Sequence, residues 1–121
     1  MKIDDLIDPI TLEVPADGLW HDVVTDLTNF NAYQIIAKAS SAQLSIGKHA
    51  LLHAYALNSF GKGKVNITQA YYGAYWNKLS LKWIGNKSNY KLQIRSKTNY
   101  GDESKIICHI SNLLIDKVDL T

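Results

Sequence analysis

The clearest pattern of hydrophobic and polar positions in the chain lies between residues 79 and 95. Every second residue there is apolar on both sides of a Gly-, Asn- and Ser-rich loop at 85–89, and mainly polar residues fill the alternate positions. The apolar positions are Leu79, Leu81, Trp83, Tyr90, Leu92 and Ile94. A period of two places one set of side chains on a buried face and the other in water. A loop of this composition between two such runs predicts a β-hairpin.

Six further segments carry strand-like patterns, and turn-forming residues separate them. They are residues 11–14, 19–27, 33–39, 49–57, 65–72 and 105–110. In segment 19–27 the odd positions are mildly apolar, and Asp22 and Asp26 face the opposite way. Together with the hairpin, these segments give about eight short strands at intervals of about 8–12 residues. The chain is therefore predicted to be all-β: an antiparallel β-sandwich, jelly-roll-like, of about eight strands.

Segment 49–57 is apolar at almost every position. As a strand it would carry alanines and Leu52 on one face, and histidines, Tyr55 and two leucines on the other. Strands that are apolar on both faces are usually central and covered on both sides. A helix is the alternative, since Ala and Leu favour one, but the strand patterns on both flanks favour a strand.

The length of 121 residues predicts a single folded domain. We expect residues 1–10, whose apolar positions follow helical spacing, to form a separate N-terminal docking segment, and residues 11–121 to form the sandwich. A helix this short is marginal in water. We therefore expect the segment to dock, either across the domain's own core or against a neighbouring subunit.

Composition and charge narrow the functional classes. Hydrophobic residues make up 46% and charged residues 20%, which is typical of a globular domain. A net charge of +2 is too small to indicate a nucleic-acid-binding protein. The first ten residues hold three Asp and no long apolar run, so no signal peptide is predicted and the chain is expected to be made in the cytoplasm. No run reaches the ~18 apolar residues of a membrane span.

The residues that could carry chemistry do not form a recognisable motif. His49 and His53 would share a strand face but lie ~13 Å apart, too far for one metal ion. Cys108 alternates with isoleucines and is expected to be a buried apolar residue. No cofactor or metal is predicted. The catalytic alternative is a small hydrolase whose site lies at a subunit seam, with His53 or His109 acting beside an Asp.

Aromatic and basic residues give the candidate binding surface. Aromatics crowd the segment before the hairpin, and basic residues occupy the outward positions of the hairpin itself. The candidate ligand-binding residues are Tyr72, Trp76, Lys78, Lys82, Lys91 and Arg95. Packing of two sheets also explains the aromatics, and a solvated sheet face also explains the cations.

The order of these segments resembles the C-terminal all-β head domain of phage tail-fibre-like or adhesin-like proteins. The resemblance is carried by WHDVVTDL, FNAYQIIAKAS, KHALLHAYALNSFG and the aromatic hairpin, and it spans about residues 12–115. It implies a β-sandwich head that forms a homo-oligomer, with a trimer favoured, and that is carried on a phage-like particle or cell surface. The expected function is a non-enzymatic binding or structural module with a surface polysaccharide as ligand. The resemblance assigns no functional residues.

Overall fold

The computed structural model describes residues 9–72 and 77–113, which form eight β-strands. The strands are β1 (Ile10–Pro15), β2 (His21–Leu27), β3 (Phe30–Ser40), β4 (His49–Ser59), β5 (Lys62–Tyr72), β6 (Leu79–Asn86), β7 (Asn89–Ser96) and β8 (Lys105–Asn112). The predicted all-β class and the strand count are confirmed. Across these two ranges the structure contains no helix long and apolar enough to span a membrane. Most of the predicted docking segment, residues 1–8, lies outside the described ranges.

The strands form two antiparallel sheets. The first has five strands in the order β1-β8-β3-β4-β5, and the second has three in the order β2-β7-β6. The chain builds β3, β4 and β5 as successive hairpins, whereas β8 returns from the end of the described chain to lie between β1 and β3. The predicted antiparallel β-sandwich is therefore confirmed, with the strands divided five to three.

The core lies between the two sheets, and its two sides differ in residue size. The inner rows of β3 and β4 are rich in alanine, and these alanines are at most 3% exposed. The three-stranded sheet places larger buried side chains against them, including Tyr90, Leu92 and Ile94. Small residues on one sheet and large ones on the other allow the layers to interdigitate at the density of a protein interior.

Segment 49–57 is a strand, and the helix alternative is excluded. β4 lies between β3 and β5, and its inner row is buried as predicted. Its outer row is exposed along its whole length, so the predicted covering of both faces holds only for the inner face within one chain. An apolar strand therefore presents an uncovered side to solvent.

Strand β2 departs from the strict alternation predicted for it. Its pairing with β7 shifts register twice, once on each side of Val24, and Asp26 adopts a φ of 57°. Each extra residue in a strand reverses the facing of those that follow. Val23 and Val24 are consequently both buried, whereas Thr25, predicted to lie on the apolar face, is partly exposed.

Side chains of β5 and β6 close one edge of the sandwich. The Gln69 side chain donates to the Leu79 carbonyl and accepts from the Leu79 N–H, at 3.2 and 3.1 Å. The indole of Trp83 packs directly on Gly63, where a Cβ atom would lie 2.0 Å from Trp83 Cδ1. The indole Nε1 also donates to the Lys64 carbonyl at 3.3 Å. These contacts fix β6, and with it the outer face of the three-stranded sheet.

Candidate ligand-binding site

The outer face of the three-stranded sheet carries most of the charged hairpin residues. Alternation on β6 and β7 buries Leu79, Leu92 and Ile94 and turns the intervening residues outward. We call this surface the cationic face; it consists of Trp20, Asp22, Ser80, Lys82, Ile84, Lys91, Gln93 and Arg95. Its position follows from the hairpin pattern that the sequence makes plain.

One cation of this face is already neutralised. Lys91 Nζ lies 3.1 Å from Asp22 Oδ1, and Gln93 Nε2 donates to the same oxygen at 2.8 Å. The hydrogen bond from Gln93 and the charge of Lys91 lower the pKa of Asp22, although partial desolvation opposes them. Asp22 is therefore an ionised carboxylate at neutral pH, and the Asp22–Lys91 pair contributes no net charge to the surface.

The other two cations of the face converge on one aromatic ring. The Lys82 Nζ lies 4.3 Å from the centroid of the Trp20 ring, and the Arg95 Cζ lies 4.7 Å from it. Both are within the ~6 Å range of a cation–π interaction. In residues 9–72 and 77–113 neither cation lies within ion-pair distance of a carboxylate. This arrangement combines a partly exposed indole with two positive charges.

A polar hollow of about 480 Å³ lies at the loop end of the same sheet. Residues of β2 and of the β6–β7 hairpin line it, among them Asp22, Asp26, Ile84 and Lys91. Because Asp22 and Lys91 belong to both features, the hollow is continuous with the cationic face. An extended ligand that reaches Trp20 along β7 would therefore meet this hollow at the other end of the sheet.

The outer face of the five-stranded sheet has a different chemistry. We call it the apolar face, because its centre exposes Ile36 (49%), Leu51 (60%), Tyr55 (52%) and Leu57 (42%). Ile36 pairs with His53 of β4 on one side and with His109 of β8 on the other. This surface lies on the opposite side of the sandwich from the cationic face.

The two histidines considered for the catalytic alternative lie on this apolar face. They flank Ile36 and are thus separated by two strand spacings, or ~10 Å. His53 Nε2 is 2.9 Å from Gln34 Nε2, and His109 Nδ1 is 3.0 Å from Thr11 Oγ1. Within the part of the chain that the structure describes, no carboxylate hydrogen-bonds to either ring. Within one chain, the described residues therefore do not bring an aspartate to His53 or His109.

Two other reactive side chains are His21, whose Nε2 lies 2.8 Å from Asp17 Oδ1, and the single cysteine. Cys108 is fully buried, and this burial raises the pKa of its thiol to about 12, as expected of an inert core residue. Among the described residues no group of three His, Cys, Asp or Glu side chains is placed to hold a metal ion.

The predicted ligand-binding residues do not all meet at one place. Lys82, Lys91 and Arg95 share the cationic face, whereas Tyr72 lies at the end of β5 on the apolar side, with its ring 6.2 Å from that of His49. Lys78 precedes β6, and its Nζ lies 5.2 Å from the Tyr71 ring. Trp76, also predicted, lies outside the described residues.

Trp20 is the residue that sequence reasoning missed. The alternation of segment 19–27 already placed it on the same side as Asp22, facing away from the core. Its contact partners, however, belong to β6 and β7 and are distant in sequence. The alternation of segment 19–27 therefore predicted which face Trp20 lies on, but not which residues contact it.

Comparisons with known proteins bear on the fold. No protein-family model matches the chain, and no curated protein matches it. Among solved structures, it is similar to a tailspike protein of the Acinetobacter baumannii bacteriophage Fri1, a capsular polysaccharide depolymerase, with a TM-score of 0.51 and 9% sequence identity. The match covers 84% of this chain but only 16% of the tailspike. At this identity the likeness extends to the fold alone, and it is a loose one.

Proposed function

We propose that this chain is a non-enzymatic head module of a larger phage-like or adhesive assembly, which packs against copies of itself and recognises a surface glycan. The observation that carries the proposal is the apolar face of the five-stranded sheet, whose central large side chains are roughly half exposed. Contiguous apolar surface on a folded domain marks an interaction site. A sandwich with one such face is suited to assembly.

The size of the apolar face supports a second copy of the chain as its occupant. Five strands of up to 11 residues, ~4.8 Å apart with ~3.3 Å per residue, give an area on the order of 700 Å². A standard protein–protein interface buries about 800 Å² per partner. One sheet face is therefore large enough for a stable contact.

The central row of the apolar face supports the same occupant. The outer row of β4 contains only histidine, leucine, tyrosine and serine. Lys38 and Lys64 pair with Leu51 and Leu57 beside this row, so two copies that meet through it must keep these lysines at the edge of the contact, where like charges repel less. A trimer is the assembly that the resemblance to tail-fibre heads favours.

The cationic face, on the opposite side, remains accessible when the apolar face is covered. Its indole and the two cations beside it, which form no ion pair with the described residues, suit a polar ligand with flat apolar surfaces, which describes a sugar chain. The fold likeness to a segment of a capsular polysaccharide depolymerase supports carbohydrate as the ligand class. The module would thus bind a glycan while the opposite sheet holds the particle together.

The mass of the protein in solution tests the assembly directly. We expect a multiple of the 13.6 kDa chain mass, with a trimer favoured, by light scattering or analytical ultracentrifugation at micromolar concentration. Leu51→Glu, which places a charge at the centre of the apolar face, should shift the mass to that of a monomer.

Ile84→Glu is the matched control, because Ile84 is 38% exposed on the cationic face and should not alter assembly. A wild-type mass of 13.6 kDa at about 100 µM, or an unchanged mass for Leu51→Glu, would contradict the proposed packing. Retention of the wild-type protein on an immobilised capsular polysaccharide tests the glycan-binding half separately.

A further inference from the structure

We infer that Trp20, Lys82 and Arg95 form a binding site for the carboxylate-bearing unit of an acidic saccharide, such as a hexuronate. The inference rests on the proposed glycan recognition and names the ligand class of the cationic face. Three observations carry it: the charge balance of the face, the convergence of the two cations, and an unpaired nitrogen on Arg95.

The charge balance leaves these two cations available. Among the described residues of the cationic face, the Asp22 carboxylate is paired with Lys91, and the Asp26 carboxylate lies beyond it in the adjoining hollow. Lys82 and Arg95 have no such partner within the described ranges, and their positive charges are held close together. Two like charges in one place are a site for an anion.

The sheet register explains why the cations converge. His21 pairs with Ile94, so the preceding residue, Trp20, comes alongside Arg95. Arg95 pairs with Ser80 on β6, two residues before Lys82, so the two cations are diagonal neighbours on one face. Diagonal neighbours are ~7–8 Å apart at the backbone, within reach of long side chains.

The state of the Arg95 guanidinium points to an anionic ligand. Its Nε is buried and has no hydrogen-bond partner among the residues described. A charged group that has lost part of its hydration without gaining a partner is destabilised. A carboxylate bound at the accessible nitrogens would not reach the buried Nε, but it would compensate the positive charge of the partly dehydrated guanidinium in the planar geometry that this group prefers.

A sugar acid fits this site better than a nucleic acid. Single-stranded nucleic acid needs several aromatic platforms along a cationic groove. In the described part of the face, only Trp20 offers an aromatic ring to solvent, and the Asp22 carboxylate lies further along the same sheet. One ring for stacking and one pair of cations for a carboxylate match a single acidic pyranose.

Titration with defined oligosaccharides tests the site. Trigalacturonate is added to the full chain, and the indole Nε–H signals of the three Trp are followed by NMR, with Trp20→Phe providing the assignment. We expect the Trp20 signal to shift saturably, and no comparable shift with maltotriose, which has the same length but no carboxylate. Arg95→Gln and Lys82→Gln should each weaken trigalacturonate binding by about tenfold, the loss expected for one charge-assisted hydrogen bond.

Lys105→Gln is the matched control, since it removes the same charge from an exposed residue of β8, in the other sheet and away from the cationic face. It should change the affinity by no more than about twofold. Equal weakening by Lys105→Gln and Arg95→Gln, or tighter binding of tri-thymidylate than of trigalacturonate, overturns the site. Binding of maltotriose alone overturns the acidic ligand but leaves glycan recognition standing. If neither oligosaccharide nor an immobilised capsular polysaccharide binds, both the acidic-saccharide site and the proposed glycan recognition are wrong.

Discussion

Tyr33 and Tyr90 are buried on facing sheets, and removal of the hydroxyl group should affect the free energy of unfolding differently at each position. The Tyr33 side chain is fully buried on β3, and its hydroxyl has no hydrogen-bond partner among the described residues. Desolvation raises the pKa of this phenol above its ordinary value of 10.0. The Tyr90 hydroxyl accepts from Asn31 Nδ2 at 2.6 Å and donates to the Asn29 carbonyl at 3.0 Å.

The magnitudes follow from these contacts. An intramolecular hydrogen bond contributes about 1 kcal/mol, and a buried polar group without a partner costs about 1–3 kcal/mol. Tyr90→Phe removes two bonds and leaves the fully buried Asn31 short of one, so we expect a loss of about 2–3 kcal/mol in the free energy of unfolding. Tyr33→Phe removes no bond and should leave stability unchanged or raise it by about 1 kcal/mol.

Urea denaturation followed by circular dichroism measures both values. The two variants delete the same atom from the same residue type, so changes in the unfolded chain largely cancel in the comparison. One fixed protein concentration is needed, because assembly couples to apparent stability. A Tyr33→Phe variant that is destabilised as much as Tyr90→Phe would refute the assignment of an unpaired hydroxyl and the account of this core.

Three further predictions concern the closed edge, the cationic face and the core. Gly63→Ala would place a methyl group 2.0 Å from Trp83 Cδ1, so the indole must move. We expect the free energy of unfolding to fall by about 1–3 kcal/mol and the tryptophan emission spectrum to change. An unchanged emission spectrum would contradict the contact between Gly63 and Trp83. Asp22→Asn should lower the melting temperature at pH 7. The pKa of Asp22 is lowered in the folded state, so the stability that its carboxylate contributes is present above the ordinary pKa of 3.8 and is lost as the pH falls below that value. The difference in melting temperature between wild type and Asp22→Asn should therefore disappear in acid. A difference that does not depend on pH would disprove this. Cys108 should resist a thiol reagent in the native protein at pH 8 and react in urea, since burial raises its pKa to about 12; rapid native labelling would show that this strand opens.

The strands of this protein could be predicted from the sequence because their signal is local. A period of two fixes which side chains share a face, whatever the strand pairs with. The hairpin of β6 and β7, the buried alternation of β3 and the strand character of β4 all followed from this rule. The period-two rule failed for strand β2, because a bulge depends on how the strand pairs and two register shifts lie within its seven residues.

The candidate sites needed the tertiary structure. The sequence identified Lys82, Lys91 and Arg95 as outward cations, but only the sheet register decided that Asp22 neutralises Lys91 and that Trp20 joins the other two. Such pairings depend on which strands lie side by side, and many arrangements of eight strands satisfy the same local patterns.

The two outer faces show the same division. From sequence alone, β4 is apolar on both sides, because alternation reports the character of each face. Whether a face is covered depends on the second sheet and on any neighbouring subunit, which the strand's own residues do not specify. The sequence by itself therefore determined an antiparallel β-protein with an aromatic, basic hairpin. The tertiary structure decided that one sheet face exposes Leu51 and Tyr55 and that the opposite face gathers two cations around Trp20. The physical reason is that alternation within a strand determines which side of the sheet each side chain faces, whereas contacts between strands depend on how the whole chain packs.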